Sequence, residues 1–452
     1  MKTLTTINPY NQEELQTYIL HTSQEIEQKL EAANSCFRKW RKEPLAKRTE
    51  LLDNLEKVME RKKEELAMLM TLEMGKPITQ SITEIDKCIW LCSYYAEHAA
   101  GFLEDKHITT DAKESFVRYD PIGAVLAVMP WNYPFWQVMR FAIPTLTAGN
   151  TGILKHASNV TGCALAIEAL FAEAGYPNNC FTTLIAEHEQ FENIIQHQAI
   201  KAVTLTGSEK AGKSIAAVSG GHLKKTVLEL GGNNACIVWD DADLETYIPI
   251  MVQARMQNTG QSCIAAKRFI VVEAIYDDFV QKFVEEVQKI NIGSPTEPTT
   301  TLSVLARTDL ADTVEKQVAT SLKMGAKVLY GNKRDKAYYD PTVICDVTEG
   351  MPLYDEEVFG PVAAIIEVKD EKESMAVAAT SPYGLGTMVF TEDIKKAKAY
   401  IEDVEDGAYF INEMVKSDPR LPFGGTKLSG YGRELSKDGI LEFVNKKTVY
   451  VK

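Results

Sequence analysis

From Arg48 to Glu73 the stretch "RTELLDNLEKVMERKKEELAMLMTLE" repeats apolar residues at helical spacing, with Gly75 and Pro77 as stop signals, which predicts one long helix. A second helix is expected through about Phe102, and "AKESFVRYDPIG" reads as a strand and turn. Past Pro121 the period changes. "AVLAVM", "TGILK", "CFTTLI", "KAVTLT" and "ACIVW" are short apolar runs suited to buried parallel strands. Helical segments such as "VTGCALAIEALFAEAG" lie between them, and strand-helix alternation predicts a doubly wound α/β domain with ligands at the carboxyl ends of its strands. After Cys263 a second alternating series begins with "RFIVV" and the helix around "IYDDFVQKFVEEVQKI", followed by "AAIIEV", "TMVF" and "GAYFIN". This predicts a second α/β domain, with "GSPTEPTTTLSVL" as a connecting loop inside it.

A chain of 452 residues is too long for one ordinary core, which agrees with two or more domains. Its 45% hydrophobic and 25% charged residues are those of a globular protein, and no apolar run reaches the length of a membrane span. The start "MKTLTTINPYNQEE" lacks a basic-then-apolar signal segment, and the 8 Cys have no disulfide-framework spacing, so a cytoplasmic location is expected. Cys88 and Cys92 stand one helical turn apart, but no further pair completes a metal site, and "KCIWLCSYY" reads as a buried helix face. The formal charge of −14 repels nucleic-acid phosphates and anionic lipid, and "RKWRK" at 38–42 reads as a solvated helix face.

Three turns carry chemistry. "MQNTGQSCIAAKRF" puts Cys263 between a polar, glycine-bearing turn and a buried strand, a position suited to a reactive thiol. "VLELGG" ends a strand on Glu229, where a structural salt bridge or helix cap is the plain alternative to a base. "VMPWNYPFW" fixes Asn132 between prolines, as a turn-former or a hydrogen-bond donor. A rival signal is "GSEKAGKS" at 207–214, which fits the P-loop pattern of an ATPase behind a strand. Gly220 and Gly221 cut its helix short, and it assigns no work to Cys263; the same glycine turn still suits a pyrophosphate at a helix N-terminus.

"PWNYP", "TLTGS", "LELGG", "NTGQSC", "EEVFGP" and "LPFGG" stand in the order typical of the aldehyde dehydrogenase superfamily, which the chain resembles from "INPY" to its last residues. The resemblance implies a Rossmann-like cofactor domain over 1–102 and 121–232 and an α/β catalytic domain over 233–428. It also implies oligomerisation strands over 103–120 and 441–452, and a homodimer or homotetramer. It implies Cys263 as nucleophile, Asn132 and the Cys263 amide as oxyanion donors, and Glu229 as the base that hydrolyses the thioester. Lys155 matches the lysine on the adenine ribose, Gly207, Ser208 and Gly212 the pyrophosphate turn, and Glu357 and Phe359 the nicotinamide pair. Trp131, Ser158, Glu229, Leu230 and Gly231 complete the expected cofactor contacts.

Relatives that prefer NAD often carry a Glu three residues after that lysine. Ser158 stands there, so NADP is expected, with NAD second; an N-cap role for Ser158 would fit either. "SDPRLPFGG" and "PFWQVMRFAIP" look most like the short bacterial succinate-semialdehyde dehydrogenases. The expected substrate contacts are Arg140, Trp136, Gln257, Ser262, Ser417 and Phe423. Arg140 would grip a carboxylate unless it pairs with a core acid, and Ser417 and Arg420 would compensate for Gln257, which stands where some relatives have a second arginine. A broad-specificity or other semialdehyde dehydrogenase is the alternative. A CoA-acylating enzyme commonly lacks the Glu229 carboxylate, and a non-enzymatic relative would be expected to lose one of the three reactive residues.

Overall fold

The computed structural model describes residues 2–452. The apolar runs past Pro121 divide between two sheets. The first has six strands in the order Gly430–Tyr431, Lys225–Glu229, Ile200–Thr206, Ala124–Met129, Thr151–His156 and Phe181–Thr183. All neighbours are parallel except the short Gly430–Tyr431 edge, which returns antiparallel against Glu229 and Leu228. Connections run outward in opposite directions from Ala124–Met129, so the crevice of a topological switch point opens beyond Met129, Thr206 and Glu229. The long helices Leu45–Met74 and Ile78–Leu103 pack their buried Leu, Met and Cys stripes beside this sheet, and Cys88 and Cys92 both point inward. The exposed side chains of "RKWRK" flank the buried Trp40, whose indole donates 3.0 Å to the Leu146 carbonyl.

The second sheet has seven strands, centred on Val362–Val368, Arg268–Val272 and Ala235–Val238. It differs in one respect from the periodicity reading, though not from the boundary at 233 that the resemblance implies. "ACIVW" precedes Cys263 but joins this sheet, parallel to both Arg268–Val272 and Thr387–Phe390. Periodicity identifies a strand but not its neighbours, and the ladder partners of Ala235–Val238 lie more than thirty residues away. Strands Val444–Val451, Glu114–Pro121 and Lys106–His107 form a third, antiparallel sheet, with the exposed eight-residue Val444–Val451 on its edge. Among the described residues no helix is long and apolar enough to cross a membrane.

Asn150, fully buried, ties the first and third sheets. Its Oδ1 accepts from the amides of Ile122 and Gly123 at 2.8 and 3.1 Å, and its Nδ2 donates 2.9 Å to the Phe443 carbonyl. Asn150→Leu would strand two buried backbone groups and one half-buried one, and should cost about 3 kcal/mol. A urea midpoint equal to that of the parent would contradict this.

Candidate active site

The helix Leu244–Met256 ends at Gln257, and the chain then does something costly. Asn258, Thr259 and Gly260 are all left-handed, with φ of 54°, 54° and 72°. For a β-branched residue such as Thr259 this is a strained conformation, worth on the order of 1–3 kcal/mol. Arg255 holds it. The guanidinium is completely buried, and Nη2 donates 2.7 Å to each of the Gly260 and Gly360 carbonyls, while Nη1 donates 3.2 Å to the Ala266 carbonyl. The Asn258 amide group donates 2.8 Å to the Asn132 carbonyl, and Gln261 accepts from the Ala306 amide at 2.9 Å. Asn234 donates to the Cys263 and Ala265 carbonyls at 2.6 and 3.0 Å. The segment that carries the nucleophile candidate is thus fixed from four sides, and Asn234 holds the Cys263 backbone itself.

Cys263 is half-buried, whereas the other seven cysteines are buried. Burial pushes its thiol up to about 11, against the pull of Lys267 and Arg140, so it is protonated at neutral pH. Glu229 ends its strand with 2% exposure, and neither carboxylate oxygen has a hydrogen-bond partner. Burial first, and the neighbouring Glu434 second, hold its carboxyl well above the usual range, with Arg140 opposing. A salt bridge or helix cap at Glu229 is therefore not what the fold uses. Gly424 faces it; a Cβ there would lie 2.7 Å from Glu229 Oε1.

Asn132 sits just past the switch-point strand, 4% exposed. Its Nδ2 donates one hydrogen to the Gln261 carbonyl at 3.1 Å, leaving the other free. The Cys263 amide donates to no protein acceptor among the described residues. The Asn132 turn is held by a buried group that the sequence did not single out. Glu84 accepts from the amides of Phe135 and Trp136, at 2.9 Å each, at the start of helix Trp136–Thr147, and it pairs with the buried Lys76. Lys76 in turn lies 3.9 Å from the centre of the Tyr133 ring.

Along the carboxyl edge of the first sheet lie the expected cofactor residues. Lys155 has no acidic partner and rests over Phe191. Ser158 is exposed and opens the short helical turn Ser158–Val160 without a side-chain cap bond, so the N-cap alternative is not found. Ser208 caps the helix Glu209–Gly221, accepting from the Ala211 amide at 3.3 Å, and the Gly207 amide donates 3.0 Å to the Glu229 carbonyl. Gly212 lets that helix press on Leu230, where a Cβ would come within 2.7 Å of both methyl carbons. The P-loop reading fails here, because the helix already begins at Glu209 and leaves no phosphate-cradling loop before Gly212, and Lys213 pairs with Glu209 on the surface. Glu357 packs on Gly231, accepts from the Gly232 amide and pairs with Lys267 at 2.6 Å. Phe359 meets Trp131 edge-on at 5.8 Å.

All six expected substrate residues, Arg140, Trp136, Gln257, Ser262, Ser417 and Phe423, line one cavity with Cys263. Arg140 pairs with the buried Glu434, which is the core-acid pairing that the sequence held as the alternative to a carboxylate grip; it also stacks 4.5 Å over Phe423 and keeps Nη2 without a hydrogen-bond partner among the described residues. Arg420 does not reach the cavity; it is turned to Asp418 and solvent. Lys87, which sequence reasoning passed over as part of a helix face, does line it. The only signal in the chain was a cation beside an apolar stripe, which is common on any helix.

Two outcomes test this geometry. In Arg255→Lys a single ammonium cannot reproduce the planar fork that spans three carbonyls, so aldehyde oxidation should fall at least about tenfold with a lowered Tm. Normal kcat at an unchanged Tm would remove the clamp from the account. Cys263 in the cofactor-free protein has a thiolate fraction of about one in a thousand at pH 8, given a thiol near 11. Its iodoacetamide labelling, followed by peptide mass spectrometry, should rise about tenfold per pH unit from 7 to 9; a plateau below pH 9 would disagree.

Residues 1–449 match the family model described as the aldehyde dehydrogenase family. The chain is 46% identical over 451 residues to a probable NADP(+) succinate-semialdehyde dehydrogenase of Synechocystis, covering 99% of each chain. It is 43% identical to an NADP(+) succinate-semialdehyde dehydrogenase of Mycobacterium bovis, again over 99% of both. Among solved structures, it superposes with a TM-score of 0.97 on succinic semialdehyde dehydrogenase from Streptococcus pyogenes in complex with NADP+, at 38% identity and 99% coverage of each. From fold, site and likeness together, this chain belongs to the aldehyde dehydrogenase family.

Proposed function

We propose that the protein oxidises succinate semialdehyde to succinate with NADP as hydride acceptor. The observation that carries this reading is one accessible thiol lining the cavity that also holds Arg140, with the half-free Asn132 amide tied to the Cys263 turn through the Gln261 carbonyl and the partnerless buried Glu229 carboxylate close enough to act on the thiol. Cys263 first gives up its proton to solvent, and the thiolate then attacks the aldehyde carbon. The oxyanion of the resulting thiohemiacetal takes the spare Asn132 N–H and the unused Cys263 amide. NADP, when bound, supplies the acceptor for the hydride that leaves this carbon, and the carbon becomes a thioester of Cys263. Glu229, whose raised affinity for a proton suits a general base, takes a proton from water as that water attacks. The C–S bond breaks, the acid leaves and the sulfur is regenerated. Arg140, through its free Nη2, receives the substrate's own carboxylate.

The residues at the cofactor edge fit a dinucleotide. Lys155 has no acid to neutralise it and Ser158 offers a hydroxyl instead of a carboxylate, which favours a 2′-phosphate over a bare 2′-hydroxyl. The reading extends to a cytoplasmic homo-oligomer, dimer or tetramer, supported by the exposed edge of Val444–Val451, whose free backbone groups invite a partner strand.

NADPH formation at 340 nm with succinate semialdehyde, butanal and added CoA is the direct test. Succinate semialdehyde should give a higher kcat/KM than butanal, with no dependence on CoA. Cys263→Ala should abolish turnover while retaining NADP binding, and Glu229→Gln should keep a burst of NADPH and slow the steady state. Equal efficiency on both aldehydes would leave a broad-specificity enzyme as the better reading. Ser158→Glu should move the kcat/KM ratio toward NAD through repulsion of the 2′-phosphate; a ratio that stays put would count against the cofactor argument.

A further inference from the structure

The cations that line the substrate cavity are not equivalent. Lys416 stands at the mouth, paired with Glu413. Arg140 is already neutralised in part by Glu434. Lys87, on the helix Ile78–Leu103, has no carboxylate within ion-pair distance. Its ammonium donates 2.8 Å to the Ser417 hydroxyl and sits 4.2 Å from the centre of the Trp136 ring. Ser417 is itself buried and accepts a second bond, from the Trp136 indole at 3.0 Å. With two donors on its oxygen, the Ser417 hydrogen has no acceptor among the described residues. The cavity therefore holds an uncompensated ammonium and an unused hydroxyl donor side by side, over an aromatic wall.

Lys87 is also held in place. One turn before it, Glu84 anchors the start of the helix that carries Trp136 and Arg140, so both cations sit on the same rigid frame. Burial draws the ammonium down to about 8, with Arg140 adding to the effect and Glu84 and Asp418 opposing it. An anion bound beside it would return the lost stabilisation. A neutral aldehyde tail would leave ammonium and hydroxyl both unsatisfied.

We propose that Lys87 is a specificity residue of this site, receiving with the Ser417 hydroxyl the carboxylate at the far end of the substrate, opposite Arg140. This rests on the reading of the substrate as an aldehyde that carries a carboxylate. The step is binding only, and no bond to Lys87 forms or breaks.

The experiment is steady-state kinetics at saturating NADP for the full-length parent, Lys87→Met, Lys87→Arg and Ser417→Ala, each with succinate semialdehyde and with butanal. The readout is the ratio of the two kcat/KM values. A charge-assisted contact implies that Lys87→Met lowers this ratio on the order of 10- to 100-fold, chiefly through the KM for succinate semialdehyde. Lys87→Arg should recover much of it, and Ser417→Ala should lower it several-fold. If the parent does not prefer succinate semialdehyde, the proposed substrate is wrong. If the parent prefers it and Lys87→Met leaves the ratio unchanged, or lowers both efficiencies equally, this inference alone is overturned. Should Lys87→Met fail to fold, an unchanged ratio in both Lys87→Arg and Ser417→Ala overturns it in the same way.

Discussion

The site depends on a backbone that would not hold its shape alone. Three consecutive left-handed residues, Asn258 to Gly260, swing the chain out of a helix and aim Cys263 at the cavity. No local preference of a β-branched threonine supports that path. The Arg255 guanidinium supports it, by converting carbonyls that would otherwise be buried without donors into a single clamp. The cost of burying that charge is visible in its proton affinity, which burial draws down to about 9. Rigidity at the nucleophile is thus obtained from polar groups buried in the core, where unmade bonds are expensive.

The same device recurs around the site. Lys76 with Glu84 holds the oxyanion turn, Lys267 with Glu357 joins the Cys263 carbonyl to the cofactor edge, and Arg140 with Glu434 backs the substrate cavity. Buried pairs of this kind add little net stability against an apolar replacement, but removal of one partner leaves a charge stranded. Their contribution here is positional. Each links a segment that carries a reacting or recognising group to a helix or strand far away in sequence. Glu229 is the exception by design, a buried carboxylate left without partners and therefore available for a proton.

Most of the architecture was legible along the chain. The apolar runs at 124–129, 151–155, 201–206 and 268–272 each became strands, the first long helix ended at Gly75 as its stop signals indicated, and the second ended at Leu103, close to the expected Phe102. Reactive positions were legible too, because a Cys, a Glu and an Asn at strand-edge turns stand out from a buried background. What local pattern misjudged was partnership. "ACIVW" paired with the second sheet although its place before Cys263 put it in the first series, and Arg420 turned to Asp418 rather than to the cavity.

By itself the sequence determined two α/β sheets, the order of the turns on their carboxyl edges and the family to which those turns belong, because period and turn chemistry act over a few residues. Tertiary structure alone decided which charges would meet. Lys87 reaches Ser417 across 330 positions, and Glu84 reaches the Asn132 turn across 51. Arg140 finds Glu434, and Glu229 finds nobody. Electrostatic character in a buried cavity depends on the few ångströms between groups that the chain brings together only on folding, and on the water it removes in doing so.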